Sequence, residues 1–511
     1  MELRGTACYS AHIYGRSVRP KASMMINPLM KNFLCCVLLV AASCALRADD
    51  SQTSNDPKVI PLTTSSEAAR RAFQGGLENI ENQQTHRAHL DFRAAVRADS
   101  NFALAHLFLA YDNANPSEEK AELDKAQSLV ANASKPEQLL VAWIVGGRQG
   151  QMVPAISAMN DLVAAYPEDR LLLFLAGRWM VQQRNYEAAQ HFLERAIAVD
   201  PDYPAALNEL GYGYAGTHDF DRAFQSLDKY VKAEPGEPNT EDSYGEISRM
   251  SGRFDQALEH YRKALSYDST FIWSQAGLAD TYMLMGKEEQ ARAEYAKAIA
   301  AASAVGDRLN WELQSALTYF YANQHRNADI AATKVAQEAH SLHVGKAEAM
   351  THRIMSEYDP DIEGILRHSH DAEQALTEKT DISGSDRDEE MAVVLKVRAV
   401  QAALFGRTEL ANQSLQRLSE MAASSRDNAI QQASEGAIGG VLWAQKKFAE
   451  AIPHLQEDQA NPLSAARLLL AAREVGDTHL ADQVANDLNN YHEATMDDLL
   501  ARRLLNAPAR K

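Results

Sequence analysis

Histidine is the residue type in this chain with the most chemical potential. His340 and His343 stand three apart, as do His86 and His89, and His368, His370 and Asp371 form a short HxHD string. Imidazoles one helical turn apart can hold a metal ion when a third ligand converges on them. Nothing in the linear order supplies that ligand, and a chain with 16 histidines makes such pairs by coincidence. The expectation is therefore solvated helix faces, with no metal site and no cofactor. Asp359, Asp361 and Glu363, upstream of His368 and Asp371, could form a carboxylate-lined pocket. They read more simply as acids at a helix N-terminus, where negative charge suits the dipole. The sequence has no phosphate-cradling glycine loop, dinucleotide turn, nucleophile elbow or HExxH pair, so the usual grounds for proposing an enzyme are missing.

The elements that would carry these residues repeat. From Arg170 to Val305 the pattern recurs every 34 residues without an insertion. Each unit holds two short amphipathic helices, with apolar positions at three- and four-residue spacing. The first helix has a small residue near its middle: Gly177, Gly211, Gly245 or Ala279. The second has an alanine twelve residues later: Ala189, Ala223, Ala257 or Ala291. Small side chains at these points let paired backbones approach closely. Pro167, Pro201 and Pro235 close units, because proline cannot continue a helix. Pro204 and Pro238 open units, where a fixed φ suits the first helical position. Gly252 and Gly286 sit in the turns, and Tyr186, Phe220 and Phe254 follow the turns and plug the gap between helices.

This pattern resembles the tetratricopeptide repeat. Leu210, Gly211, Tyr214, Phe220, Ala223 and Pro235 match the motif in one unit. Gly245, Gly252, Phe254, Ala257, Tyr261, Ala264 and Leu265 match it in the next, and Leu278, Tyr282, Gly286, Ala291, Tyr295, Ala298 and Ile299 in the third. Weaker units extend upstream to Ala69. Downstream, Gly406 with Ala411, Phe448 with Ala451 and Gly476 with Ala481 are faded turn-and-alanine signatures. The resemblance implies an all-α solenoid, a right-handed superhelix of about 11–12 helix pairs, with an extended concave surface and no catalytic cavity. By analogy with the family, the groove is lined by Asn208, Tyr212, Asp242, Glu246, Arg249, Trp273 and Asp280. The residues with which chaperone-tail-binding members clamp a terminal carboxylate are not matched. The acids favour a basic or neutral segment instead.

Domain limits follow. Residues 1–48 form a targeting segment: Lys31 precedes an apolar run from Phe33 to Ala42, too short for a spanning helix of about 20 residues. A start at Met24, Met25 or Met30 would give a signal of ordinary length. Cleavage after Ala45 or Ala48 and lipidation at Cys44, in a sequence resembling a lipobox, stay open beside an uncleaved anchor. Residues 49–66 read as a flexible tether, 67–306 as the regular repeats and 307–511 as divergent repeats. TEKTDISGSDRD, from Thr377 to Asp388, reads as a surface loop, and Pro453 predicts a helix that starts late or bends. All four cysteines precede residue 45, which leaves the body without disulfides. A net charge of −18 disfavours nucleic acid and anionic membrane as partners. The functional expectation is an exported, non-catalytic adaptor in the periplasm or envelope that binds a protein or peptide. The rival expectations are a structural part of an envelope complex, and an enzyme or carbohydrate-handling protein built on the region after Gly306.

Overall fold

The computed structural model describes residues 59–506, apart from 83, 112, 114 and 379–381. The targeting segment, Cys44 and residues 49–58 of the tether lie outside the described residues. Among the described residues, twelve helical hairpins follow one another. The first six are α1 (Glu67–Glu81) with α2 (Thr85–Ala98), α3 (Ala103–Ala110) with α4 (Pro116–Leu129), α5 (Lys135–Arg148) with α6 (Met152–Ala165), α7 (Arg170–Gln182) with α8 (Tyr186–Val199), α9 (Pro204–Ala215) with α10 (Phe220–Ala233), and α11 (Pro238–Met250) with α12 (Phe254–Tyr267). The next six are α13 (Ile272–Leu284) with α14 (Glu288–Ala301), α15 (Val305–Tyr321) with α16 (His325–Ser341), α17 (Gly345–Tyr358) with α18 (Ile362–Glu378), α19 (Gly384–Leu404) with α20 (Thr408–Ser424), α21 (Asn428–Ala444) with α22 (Phe448–Glu457), and α23 (Pro462–Val475) with α24 (Thr478–Asn490). A last helix, α25 (Met496–Asn506), packs on α23. The chain is thus an all-α solenoid of helix pairs. No helix among the described residues is long and apolar enough to cross a membrane.

The small-residue register explains how the pairs close. Ala189, Ala223, Ala257 and Ala291 are fully buried. A side chain at Gly177 would overlap Leu193 of the paired helix, and one at Gly245 would stand 2.9 Å from the Tyr261 ring. Helix starts at Arg170, Pro204, Pro238 and Ile272 keep the 34-residue step. Prolines 204 and 238 occupy the first helical turn, and Asp169, Asn185 and Asp219 cap helix N-termini through their carboxylate or amide oxygens. Gly252 and Gly286 take positive φ in the turns, and Gly406 and Gly476 do the same downstream. Arg184 and His218 hold that left-handed conformation without being glycine, which L-residues adopt at a cost.

Three expectations are corrected. Residues 59–66 are not a free tether: Ile60 N–H donates to Asp169 at 3.2 Å, Thr63 N–H to Glu137 at 3.0 Å and Thr64 Oγ1 to Asp99 at 2.5 Å. The loop expected over Thr377–Asp388 is shorter, because Ser383 caps α19 and residues from Gly384 onward are helical. Helix α22 begins at Phe448 and carries Pro453 inside, so of the two outcomes expected there, a late start or a bend, the late start is excluded.

The larger surprise is closure. An extended concave surface was expected, yet the C-terminal repeats fold back onto the turns of the N-terminal ones. Ser385 Oγ donates to Arg148 O at 3.4 Å and Asn428 Nδ2 to Gln183 O at 3.0 Å. Tyr491 stacks on His218 with ring centroids 4.8 Å apart. His492 N–H donates to Met250 O at 2.9 Å, Tyr321 OH to Thr495 O at 3.0 Å and Arg503 Nη2 to Phe320 O at 2.6 Å. Phe220 and Phe254, expected only to plug their own hairpins, also meet Tyr491 and His492. The segment 491–495 is a strap laid along the turns of the regular repeats.

Candidate functional site

The first helices of successive hairpins lie side by side and turn one face inward. Equivalent positions 34 residues apart therefore form ladders. Tyr212 on α9, Glu246 on α11, Asp280 on α13 and Gln314 on α15 form one such row, and Asn208 and Asp242 start another. The structure brings all seven groove residues named from the sequence into the lining of one pocket: Asn208, Tyr212, Asp242, Glu246, Arg249, Trp273 and Asp280. Its volume open to water-sized molecules is about 130 Å³. At roughly 10–15 Å³ per water on this measure, that is space for about ten waters or a few side chains.

The groups are tied to one another. Tyr212 OH donates to Glu246 Oε2 at 2.9 Å, and Arg249 Nη2 donates to Glu246 Oε1 at 3.2 Å. Ser274 Oγ donates to Asp242 Oδ1 at 2.6 Å, and Tyr295 OH donates to Asp280. Trp273 meets Trp311 edge-on at 5.3 Å. Arg249 is only 3% exposed and Asn208 6%. They are pocket walls, not the free surface residues expected of a groove.

Burial sets the electrostatics. It pushes the Asp242 carboxyl up to about 7, against the hydrogen bond from Ser274 and with the help of Glu246. Burial, then nearby Glu246 and Asp242, hold the Tyr212 phenol well above its ordinary range. Burial opposes the charge on Arg249, but Tyr261, Asp280 and Glu246 around it keep the guanidinium firmly protonated. Three buried polar atoms in the wall have no hydrogen-bond partner among the described residues: Asn208 Oδ1, Arg249 Nε and Gln314 Oε1. An unmet buried polar group costs about 1–3 kcal/mol, so each is a place where an incoming partner gains.

Sequence reasoning missed Gln314, which continues the Tyr212–Glu246–Asp280 row by the same 34-residue step. It also missed Arg178, which lies 3.6 Å from Glu209, and Trp311, both in the pocket lining. It could not foresee Ala494, which the strap delivers to the pocket edge. Of the histidines, His340 Nδ1 lies 2.8 Å from Glu348 and His89 Nε2 lies 3.0 Å from Tyr111 O. The backbone N–H groups of Asp361 and Glu363 donate to the side chains of Asp359 and Asp361 respectively, which is the helix-start arrangement expected of those acids.

A family model for the tetratricopeptide repeat matches residues 249–309. A TPR repeat-containing protein of Pseudomonas aeruginosa is 28% identical over 148 residues, covering 28% of this chain and 24% of that protein's length. Among solved structures, a tetratricopeptide repeat protein from Parabacteroides merdae is 15% identical, covering 53% of this chain and 92% of that one with a TM-score of 0.35. MamA is 17% identical over 34% of this chain and 92% of that one, with a TM-score of 0.27. YrrB, a TPR protein with an unusual peptide-binding site, is 15% identical over 35% of this chain and 91% of that one, with a TM-score of 0.25.

Proposed function

Because this chain belongs to the tetratricopeptide-repeat family, we propose that it is a non-catalytic adaptor whose inner pocket grips a segment of a protein or peptide partner. One observation carries the reading: a single pocket collects buried, partnerless polar atoms next to two tryptophans. Asn208 Oδ1 and Gln314 Oε1 want donors, and the acids Glu209, Asp242, Glu246 and Asp280 outnumber the cations Arg178 and Arg249 in the lining. The partner that suits them brings an ammonium, guanidinium or amide N–H, with an apolar neighbour to lie against Trp273. Arg249 Nε is available to a backbone carbonyl. Aromatic anchors in a desolvated pocket are typical of binding hot spots.

Residues 1–48 are read as an export signal, which puts the adaptor in the periplasm or envelope. Lipidation at Cys44 and cleavage after Ala45 or Ala48 are told apart by the mass of the mature N-terminus. A spacer role in an envelope complex suits the shape less well, since the repeats close on themselves and do not extend.

The test is panning of a phage-displayed peptide library against the full chain. Selected peptides should be rich in lysine or arginine beside an aromatic or aliphatic residue. Asp242→Asn and Trp273→Ala, each shown by circular dichroism to be folded, should weaken them by more than tenfold. Acidic selected peptides, or binding that survives both changes, would overturn the reading.

A further inference from the structure

The antiparallel packing of α17 on α18 supplies the ligand that the linear sequence lacked. His352 on α17 faces His368 on α18, with the two Nδ1 atoms 3.2 Å apart. Asp371, one turn beyond His368 on the same helix, brings a carboxylate oxygen so that all three groups lie within 4.8 Å of one another. We propose that His352, His368 and Asp371 form a binding site for a divalent transition metal of the zinc class, clipping α17 to α18.

The geometry fits that chemistry. A tetrahedral centre with metal–nitrogen bonds of about 2.0–2.1 Å holds its nitrogens roughly 3.3 Å apart, close to the spacing here. Two histidines and one carboxylate leave a fourth position for water, a ligand set that zinc accepts. The rings are stacked, with centroids 5.4 Å apart and planes 25° apart, so the two imidazoles already lie side by side. Burial pushes both imidazoles below their ordinary range, which keeps them in the neutral form that ligates. Of the charged neighbours, Asp371 and Glu348 draw a cation in, while Arg367 opposes it. Asp359 Oδ2 lies 3.9 Å from His368 Nε2, on the ring nitrogen the metal would leave free. All three side chains are half-buried, so the cluster is within reach of a dissolved ion.

The experiment is calorimetric titration of Zn²⁺ into the full chain after chelator treatment. Cys8→Ser, Cys35→Ser, Cys36→Ser and Cys44→Ser are introduced throughout, so that thiolates contribute no heat. One saturable event is expected, accompanied by a rise in melting temperature, because an ion that binds the folded form stabilises it. Loss of an outer-shell partner typically weakens metal binding 10–100-fold. Loss of a direct ligand should exceed that, so His352→Gln and His368→Gln should each weaken the event by more than about 100-fold. Asp371→Asn, nearly isosteric, serves if a histidine variant misfolds. His340→Gln should leave the event intact. No heat in the cysteine-free chain, or heat that persists in the His352, His368 and Asp371 variants, would reduce the contact to an ordinary hydrogen bond and overturn the proposal.

Discussion

Replacing Arg249 by methionine tests whether the pocket's charges are a structural unit. The side chain is 4% exposed and that of its partner Glu246 12%, and the two lie 3.2 Å apart. At an effective dielectric near 20, unit charges at that distance attract by roughly 5 kcal/mol, and desolvation offsets part of this. Deleting one member of a buried pair costs about 3–5 kcal/mol, chiefly because the other charge is stranded. Arg249→Met should therefore lower the unfolding free energy by about 3–5 kcal/mol at pH 8, measured by urea denaturation followed by circular dichroism. The deficit should depend on pH with a definite sign. Arg249 favours the charged form of Asp242, so its loss drives that carboxyl above its present value of about 7. A carboxyl raised in the folded state binds more protons than in the unfolded state, and its destabilising effect fades as pH falls. Lowering the pH from 8 to 5 should recover more than about 1 kcal/mol, the equivalent of one pKa unit. A loss below 1 kcal/mol, or one that does not change with pH, would refute the view that Arg249 neutralises the pocket.

Two glycines in equivalent helices should respond oppositely to alanine. At Gly213 the nearest side-chain atom is Gln190 Cγ at 3.6 Å, an ordinary contact, so Gly213→Ala should stabilise by about 0.5–1 kcal/mol. At Gly277 the added methyl overlaps the buried Tyr261 ring, so overpacking of about 1–3 kcal/mol should reverse the sign; urea titrations of both variants decide. Tyr491→Ala should cost about 3–5 kcal/mol and raise hydrogen exchange around His218 and Met250 in the distant repeats. Exchange changes confined to α24 and α25 would disprove the strap. Glu357 is held up at about 8 by burial and by Asp497. Folded molecules therefore keep a proton there that unfolded ones lose, and stability should fall between pH 7 and 9 by about 1 kcal/mol from this group. Glu357→Gln should flatten that slope in denaturation midpoints.

The regular hairpins were legible because their contacts are local and periodic. Gly211 and Ala223 are both small and buried in one hairpin, Gly211 against Leu227 of the paired helix, and a fixed step carries the same demand to Gly245 and Ala257. The same step puts Tyr212, Glu246 and Asp280 in one row, but that this row faces the groove came from likeness to the family and not from the spacing. Gln314 escaped because the counting stopped at Val305, although it keeps the phase. The strap could not be read: Tyr491 meets His218 through a contact that belongs to no repeat, between residues with no shared spacing. Arg249 is buried among Glu246, Tyr261 and Asp280 of its own and the neighbouring repeats. His352 was overlooked as a neighbour of His368 because sixteen residues separate them, and only the angle of one hairpin joins them.

Closure also constrains the order of events during synthesis. An open row of hairpins can fold from either end or the middle, each unit needing only its neighbour. Here Asn428 finds its partner on Gln183 across 245 residues, and Ser385 finds Arg148 across 237. At about 5–20 residues per second, the early hairpins wait roughly 10–50 s before those mates exist. Through that interval the inner face stands uncovered, with Met250 O and Phe320 O awaiting the nitrogens of His492 and Arg503. A nascent chain thus passes through a state in which the hairpins are built but unlatched, until His492 and Arg503 arrive to close it.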